Sequence, residues 1–287
     1  MTSCVSSDVG VGGGGLGNQL FKLAAILDYG NKYNKIPIIV NLKKDYYNEA
    51  MILLNKFFTE FTKNKLNTVS KEELNSLHFT RFVQKNPRIY EEFPNVEGNV
   101  YIGGYLESYK YIGDNTRDIM NDLVTSNDNY VQIAKSLFNI VKEHFNDYDE
   151  DNYICIHIRR GDIAQYNNNL NYDYMKRAYE KIKEIKGKNM NVIVFSDDTN
   201  WCYDNINFLP NTYYLDNISN MYIELILMSM INNGILNRFM RGGILPNRST
   251  FSWWGAFLGN KNKTIIIPDK IGKDVEDYYL PEWILVE

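Results

Sequence analysis

The chain has 287 residues, of which 44% are hydrophobic, 23% charged and 14% aromatic, a composition that excludes disordered, collagen-like and low-complexity classes. Its length fits one large or two small domains. Thirty-one lysines and arginines stand against 35 acids, a net charge of −4, which excludes a nucleic-acid binder that works through bulk positive charge. Cys4, Cys155 and Cys202 are too few and too scattered for a disulfide framework, and none has a partner at zinc-ligand spacing. The sequence has no apolar run of membrane-spanning length, and its opening residues lack the basic and apolar regions of a signal peptide. The expectation is a soluble, cytoplasmic protein without a membrane anchor.

Taken in chain order, a glycine cluster leads into a helix over 18–33, where Leu20, Phe21, Ala24 and Leu27 recur at helical spacing, and Ile36–Val40 reads as a strand. Cys4 to Val11 carries Ser6, Ser7 and Asp8 and makes a poor strand. From Asp45 to Phe145 the pattern is mostly helical, with capping-box spacing at Ser70 and Glu73, an amphipathic helix over 130–145 and a short strand near Val100. The acidic run from Asp147 to Asp151 reads as a solvated turn, and a domain boundary is placed there, at 150/151.

Beyond it strands and helices alternate. Strands are predicted at Ile154–Ile158, 192–195, 213–215 and 265–267, and helices at Tyr172–Lys186, 199–207, 220–232 and 250–259. Such alternation implies a parallel sheet flanked by helices. Ligands then bind beyond the carboxyl ends of the strands.

Four segments carry chemistry. The first, Gly12 to Gln19, is a glycine-rich loop entering a helix, and it contains G-x-G-x-x-G at Gly12, Gly14 and Gly17. Without a clear strand before it a dinucleotide fingerprint is disfavoured, and no Walker lysine follows. A flexible turn remains, or a helix N-terminus facing a ligand. The second is His157-Ile158-Arg159-Arg160-Gly161-Asp162. Strand alternation puts His157 and Arg159 on one side, away from the isoleucines, and guanidinium forks at a strand's end suit paired phosphate oxygens. A surface ion pair beside a core histidine is the plain alternative. The third, Phe195-Ser196-Asp197-Asp198, offers a carboxylate to guanine or a cap to the next helix. The fourth, Ser249 to Ala256, offers hydroxyl and N–H donors at a helix start, and tryptophans that belong in a core. The D-x-D spacings at Asp147 and Asp149 could hold a divalent ion but precede a strand, the wrong end of the sheet for a ligand site.

In this order the segments GGLGNQLF (14–21), GYLESYKY (104–111), HIRRGD (157–162), FSDD (195–198), ELILMS (224–229) and STFSWWGAFL (249–258) resemble the α-1,2-fucosyltransferases, glycosyltransferase family 11. The resemblance implies an α/β, GT-B-like fold of two Rossmann-like halves with a cleft between them. It also implies an acceptor-side domain over 1–150 and a nucleotide-sugar domain over 151–287. The implied reaction moves fucose from GDP-β-L-fucose to the 2-hydroxyl of a terminal galactose with inversion, without metal or cofactor. Carried over by position, Arg159 holds the β-phosphate. His157 and Asp197 or Asp198 contact guanosine, while Ser249, Thr250 and Phe251 complete the phosphate site. Gly15 and Gly17 line the donor loop, Asn18 lies near the transferred sugar, and Arg160 adds to the donor site. Asp162 is a candidate for the acceptor proton. Three departures stand out: the family's clear strand just before GGLGNQ is short or missing here, the link 233–248 is longer than usual and brings Arg241 and Arg248 close to Ser249 in sequence, and Glu107 replaces the family's glutamine.

Overall fold

A computed structural model describes residues 3–9, 14–40, 67–160, 171–216, 218, 220–241, 245–268 and 276–286. Asp162, Gly12 and Gly13 lie outside them, as do the side chains of Arg241 and Arg248. The chain divides into two compact units, one formed by 1–127 with 273–280 and the other by 128–272 with 281–287.

The first unit runs β1 (Cys4–Ser6), α1 (Leu16–Tyr33), β2 (Ile36–Val40), β3 (Asn67–Val69), α2 (Lys71–Ser76), β4 (Phe79–Val83), β5 (Asn99–Gly103) and, after a 3₁₀ turn at Tyr109–Tyr111, α3 (Asp114–Val124). Its strands form one parallel sheet in the order β3-β2-β1-β5-β4. The mostly helical reading of this half therefore gives way to a five-stranded sheet. The first strand exists but has only three residues, and it is central. Ser6 is tolerated there because its hydroxyl donates to the Ile38 carbonyl at 3.0 Å, so the buried polar group is satisfied. Helix α1 buries Leu20, Phe21, Leu23, Ala24 and Leu27 and ends where Asn34 turns left-handed, its N–H donating to the Gly30 carbonyl. The capping box at α2 is formed, with the Glu73 N–H donating to Ser70 Oγ at 3.0 Å and the Ser70 N–H to Glu73 Oε2 at 2.6 Å.

The second unit begins one helix earlier than the sequence boundary. Helix α4 (Asp128–Phe145) belongs to it because its apolar stripe, Ala134, Phe138 and Val141, is buried there, with the Phe138 ring edge-on to Tyr153 at 5.3 Å. There follow β6 (Tyr153–Ile158), α5 (Tyr172–Lys186), β7 (Asn191–Ser196), α6 (Thr199–Asn205), β8 (Thr212–Leu215), α7 (Met221–Met230) and β9 (Asn233–Ile235). An antiparallel hairpin of β10 (Arg238–Arg241) and β11 (Leu245–Arg248) comes next, then α8 (Thr250–Phe257), β12 (Thr264–Ile267) and β13 (Ile284–Leu285). The main sheet is parallel throughout, in the order β13-β12-β9-β6-β7-β8. The long link before Ser249 is thus resolved into a central strand plus a hairpin.

Local rules explain the helices of this unit. Asn171 caps α5, whose residues Tyr174, Met175, Ala178, Tyr179 and Ile182 are buried at helical spacing before Gly187 closes the helix in a left-handed turn. Trp253 and Trp254 are both fully buried. Gly255 lets α8 pack closely on α7, because a Cβ there would lie 2.9 Å from Met228 Cβ.

Candidate active site

In an open parallel sheet the ligand crevice forms where the strand order reverses, at the carboxyl edge. In the second unit that point lies between β6 and β9. From β6 the chain steps outward to β7 and β8, whereas β9 pairs with the opposite edge of β6. His157 is on the last turn of pleat of β6, and Arg159 and Arg160 follow it. Asp197 and Asp198 follow β7 directly alongside, since Ile158 pairs with Ser196. Chain leaving β9 through the hairpin arrives at Ser249 and the start of α8.

These residues sort into two groups. His157, Ser252 and Phe251 face each other: His157 Nδ1 is 2.7 Å from Ser252 Oγ, and the imidazole lies 5.2 Å from the Phe251 ring. Ser249 caps α8 by accepting from the Ser252 N–H at 3.2 Å, and Thr250 is the first helical residue. Burial, with the nearby Arg159 guanidinium second, pushes His157 down to about 3, so the imidazole stays neutral and keeps one donor and one acceptor nitrogen. Arg159 itself is half-buried.

The second group is internally committed. The Arg160 N–H donates to Asp197 Oδ1 at 2.6 Å, and the Arg160 side chain donates through Nε to Asp198 Oδ2 at 3.1 Å. The same guanidinium lies 3.9 Å from the centre of the Trp201 ring. Asp198 also caps α6, accepting from the Trp201 N–H at 3.2 Å. Of the two aspartates, one is the cap and the other is oriented by backbone. Arg160 and Asp198 are paired with each other, and Arg159 is near enough to His157 to act on its charge.

Glu224 had no assigned role in the sequence reading, although it stands inside a quoted segment. Its Oε1 is 4.0 Å from His157 Nε2, and its side chain keeps 17% of its surface. Burial, reinforced by Asp197, pushes its carboxyl up to about 8. With both groups neutral at pH 7, this contact is not an ion pair. The signal was present: Glu224 is the only charged residue in the otherwise apolar helix MYIELILMSM, and a lone acid there needs a reason.

The acidic run is a satisfied turn. Asp147 accepts from Asn152 and Asn191, Asp149 pairs with Lys188, Glu150 with Lys142 and Asp151 with Lys186. Among the described residues no acidic, histidine and cysteine group of metal-binding shape occurs.

Gly15, Gly17 and Asn18 belong to the first unit, at the start of α1. Gly15 is the N-cap, without a side-chain cap bond, and its carbonyl accepts from the N–H groups of Asn18 and Gln19 at 3.1 and 3.2 Å. Gly14 has φ +107°, and a Cβ on it would lie 2.5 Å from Asn18 Nδ2, so glycine there sets where the Asn18 amide sits.

The family model for glycosyl transferase family 11 matches residues 14–287. The chain belongs to glycosyltransferase family 11. It is 26% identical to the O-antigen biosynthesis glycosyltransferase WbnK of Escherichia coli, over 99% of both chains. It is 24% identical to the putative galactoside 2-alpha-L-fucosyltransferase svh-11 of Caenorhabditis elegans, over 93% of this chain and 75% of that one. Among solved structures, fucosyltransferase NodZ from Bradyrhizobium aligns with a TM-score of 0.53 at 13% identity, covering 90% of this chain and 93% of NodZ. NodZ soaked with GDP-fucose aligns at 0.52. The family-11 chain accordingly has a GT-B-like α/β fold. Among the described residues no helix is long and apolar enough to cross a membrane.

Proposed function

We propose that this family-11 glycosyltransferase moves fucose from GDP-β-L-fucose to the 2-hydroxyl of a terminal galactose, inverting the anomeric carbon, without a metal ion or cofactor. The reading is carried by one observation: Arg159 follows the strand at the reversal point of the second sheet, near a neutral His157 that itself meets Ser252 in the first turn of α8. The putative galactoside 2-alpha-L-fucosyltransferase among its relatives supports the choice of donor and linkage, and the shared fold of NodZ, an alpha-1,6-fucosyltransferase soaked with GDP-fucose, is in keeping with the donor.

In this reaction the acceptor oxygen bonds to C1 of fucose as the C1–O bond to the diphosphate breaks. The electron pair goes to a β-phosphate oxygen, and the hydroxyl proton leaves the acceptor, with Asp162 the carboxylate offered by the sequence. Negative charge grows on the departing diphosphate while the sugar becomes oxocarbenium-like. A preorganised guanidinium at Arg159 stabilises that charge where it develops. Phosphate oxygens also meet N–H and hydroxyl donors at Ser249 and Thr250, where the helix start favours an anion. Neutral His157, with Asp197 held by the Arg160 N–H, recognises guanosine through hydrogen bonds, and Phe251 closes that side. Gly15, Gly17 and Asn18 act on the sugar side.

The test is product linkage analysis after incubation with GDP-fucose and a panel of β-galactosides, with and without EDTA. A 2-linked fucosyl product that forms equally in EDTA is expected. Fucose on another hydroxyl would revise the linkage, and GDP binding without any product would point to a non-catalytic nucleotide-sugar module.

A further inference from the structure

The first unit has its own reversal point, between β1 and β5: β2 and β3 lie to one side of β1, and β5 with β4 to the other. By the same rule its carboxyl edge is a ligand crevice. Asp8 follows β1 there, and 104–107 follow β5.

Backbone at this second position is strained and pinned. Leu106 is a fully buried non-glycine residue with φ +56°, next to Gly104 at φ +117°. A β-carbon on Gly104 would lie 2.9 Å from Gln84 Cβ. The Leu106 N–H donates to Gln84 Oε1 at 2.8 Å, and the Glu107 N–H to the Pro87 carbonyl at 2.7 Å. Strain held this way is kept where it aims a side chain. Its effect is to turn Glu107 inward, onto Arg88 at 3.0 Å, and to leave Tyr105 outward with 42% of its surface exposed.

Tyr105 and Asp8 share one neighbour. Lys22 Nζ is 2.9 Å from Asp8 Oδ2 and 5.4 Å from the centre of the Tyr105 ring. The lysine side chain is only 2% exposed, whereas Asp8 keeps 30%. The ammonium and the carboxylate balance each other's charge at 2.9 Å, so the pair attracts neither a free anion nor a free cation. Besides Lys22, Asp8 accepts from Ser7 Oγ at 3.3 Å. A carboxylate has about four lone-pair sites, so among the described residues acceptors are left for further donors. An exposed ring beside a charge-balanced carboxylate suits a neutral polyhydroxylated ligand: the ring covers its C–H face and the carboxylate takes its hydroxyls.

We propose that Tyr105 and Asp8 bind the terminal sugar of the acceptor, the ring stacking on its apolar face and the free carboxylate lone pairs accepting from its hydroxyls. The choice of a sugar ligand rests on the transferase reading above; the geometry lies wholly in the first unit.

The test is saturation-transfer NMR titration of the full chain with methyl β-D-galactopyranoside, paired with calorimetric titration of GDP. Tyr105→Ala and Asp8→Asn should each weaken the galactoside by about tenfold, and Tyr105→Phe should recover the stacking part. GDP affinity should stay within about twofold in all of them, since only the sugar contacts change. Galactoside binding that is absent from the parent, or unaltered by Tyr105→Ala and Asp8→Asn, would overturn the proposal. So would a loss of GDP affinity in place of sugar affinity. If the parent binds galactoside but not GDP, and Tyr105→Ala abolishes that binding, the transferase reading fails while this inference stands.

Discussion

Replacing Glu224 by glutamine should stabilise the second unit, and the gain should grow with pH. In the folded protein this carboxyl titrates near pH 8 against an ordinary value of 4.5. Between those two values the folded chain therefore binds more protons than the unfolded chain, so stability falls as pH rises through the window and is flat outside it. At about 1.36 kcal/mol per pH unit, the cost is about 2 kcal/mol by pH 6 and about 4 kcal/mol by pH 8. Solvent reaches the 17% of the side chain that stays exposed, so these figures are ceilings. His157 acts oppositely: its folded value is near 3 against 6.5, and its contribution is lost as pH falls through that range. Comparing parent with variant at each pH removes the histidine and isolates the glutamate. The assay is urea unfolding followed by tryptophan fluorescence. Trp201, Trp253, Trp254 and Trp283 are the chain's four tryptophans and all lie in the second unit, so the signal reports that unit. The variant should match the parent near pH 4.5 and exceed it increasingly up to pH 8. A stability difference that stays constant across this range would refute the argument.

Neighbouring arginines should behave differently. Arg159→Ala should lower kcat by on the order of 10²–10³ with its unfolding midpoint retained, and Arg159→Lys should recover little, because a point charge does not reproduce the guanidinium fork. Arg160→Ala loses the Asp198 pair and the Trp201 contact, so it should cost about 1 kcal/mol in urea melts while kcat changes by less than about tenfold. Gly259→Ala should destabilise by on the order of 3 kcal/mol or more, since its φ is +80° and the new Cβ would lie 2.1 Å from the Ser229 carbonyl oxygen; a melting curve unchanged from the parent would contradict the geometry.

Much of the second unit was legible because its central strands are buried and its helices are capped. Ile154, Ile156 and Ile158 alternate with Cys155 and His157, and that alternation alone put His157 and Arg159 on one side. Asp198, Ser249 and the Ser70–Glu73 box cap the helices they precede. Less legible were strands without an apolar run. β4 is an edge strand whose Val83 is 65% exposed, and it merged into a region read as helical. β9 begins with an asparagine that is buried only because its side chain donates to the carbonyls of Asp151 and Tyr153. Gly234 in the same strand leaves room for Ile265, whose Cδ1 would be 3.1 Å from an added Cβ. Such long-range satisfaction has no local signature. Glu224 and Asp8 escaped for a related reason, since their partners, His157 and Lys22, stand on other elements.

The measurement that bears most directly on the account is a pair of calorimetric titrations, GDP and guanosine, into the parent and into Arg159→Ala. If Arg159 holds the diphosphate, the substitution weakens GDP by about 10- to 100-fold, the worth of one or two charge-assisted hydrogen bonds, and leaves guanosine unchanged. Equal GDP affinity in the two proteins, or an equal loss for guanosine, would contradict it.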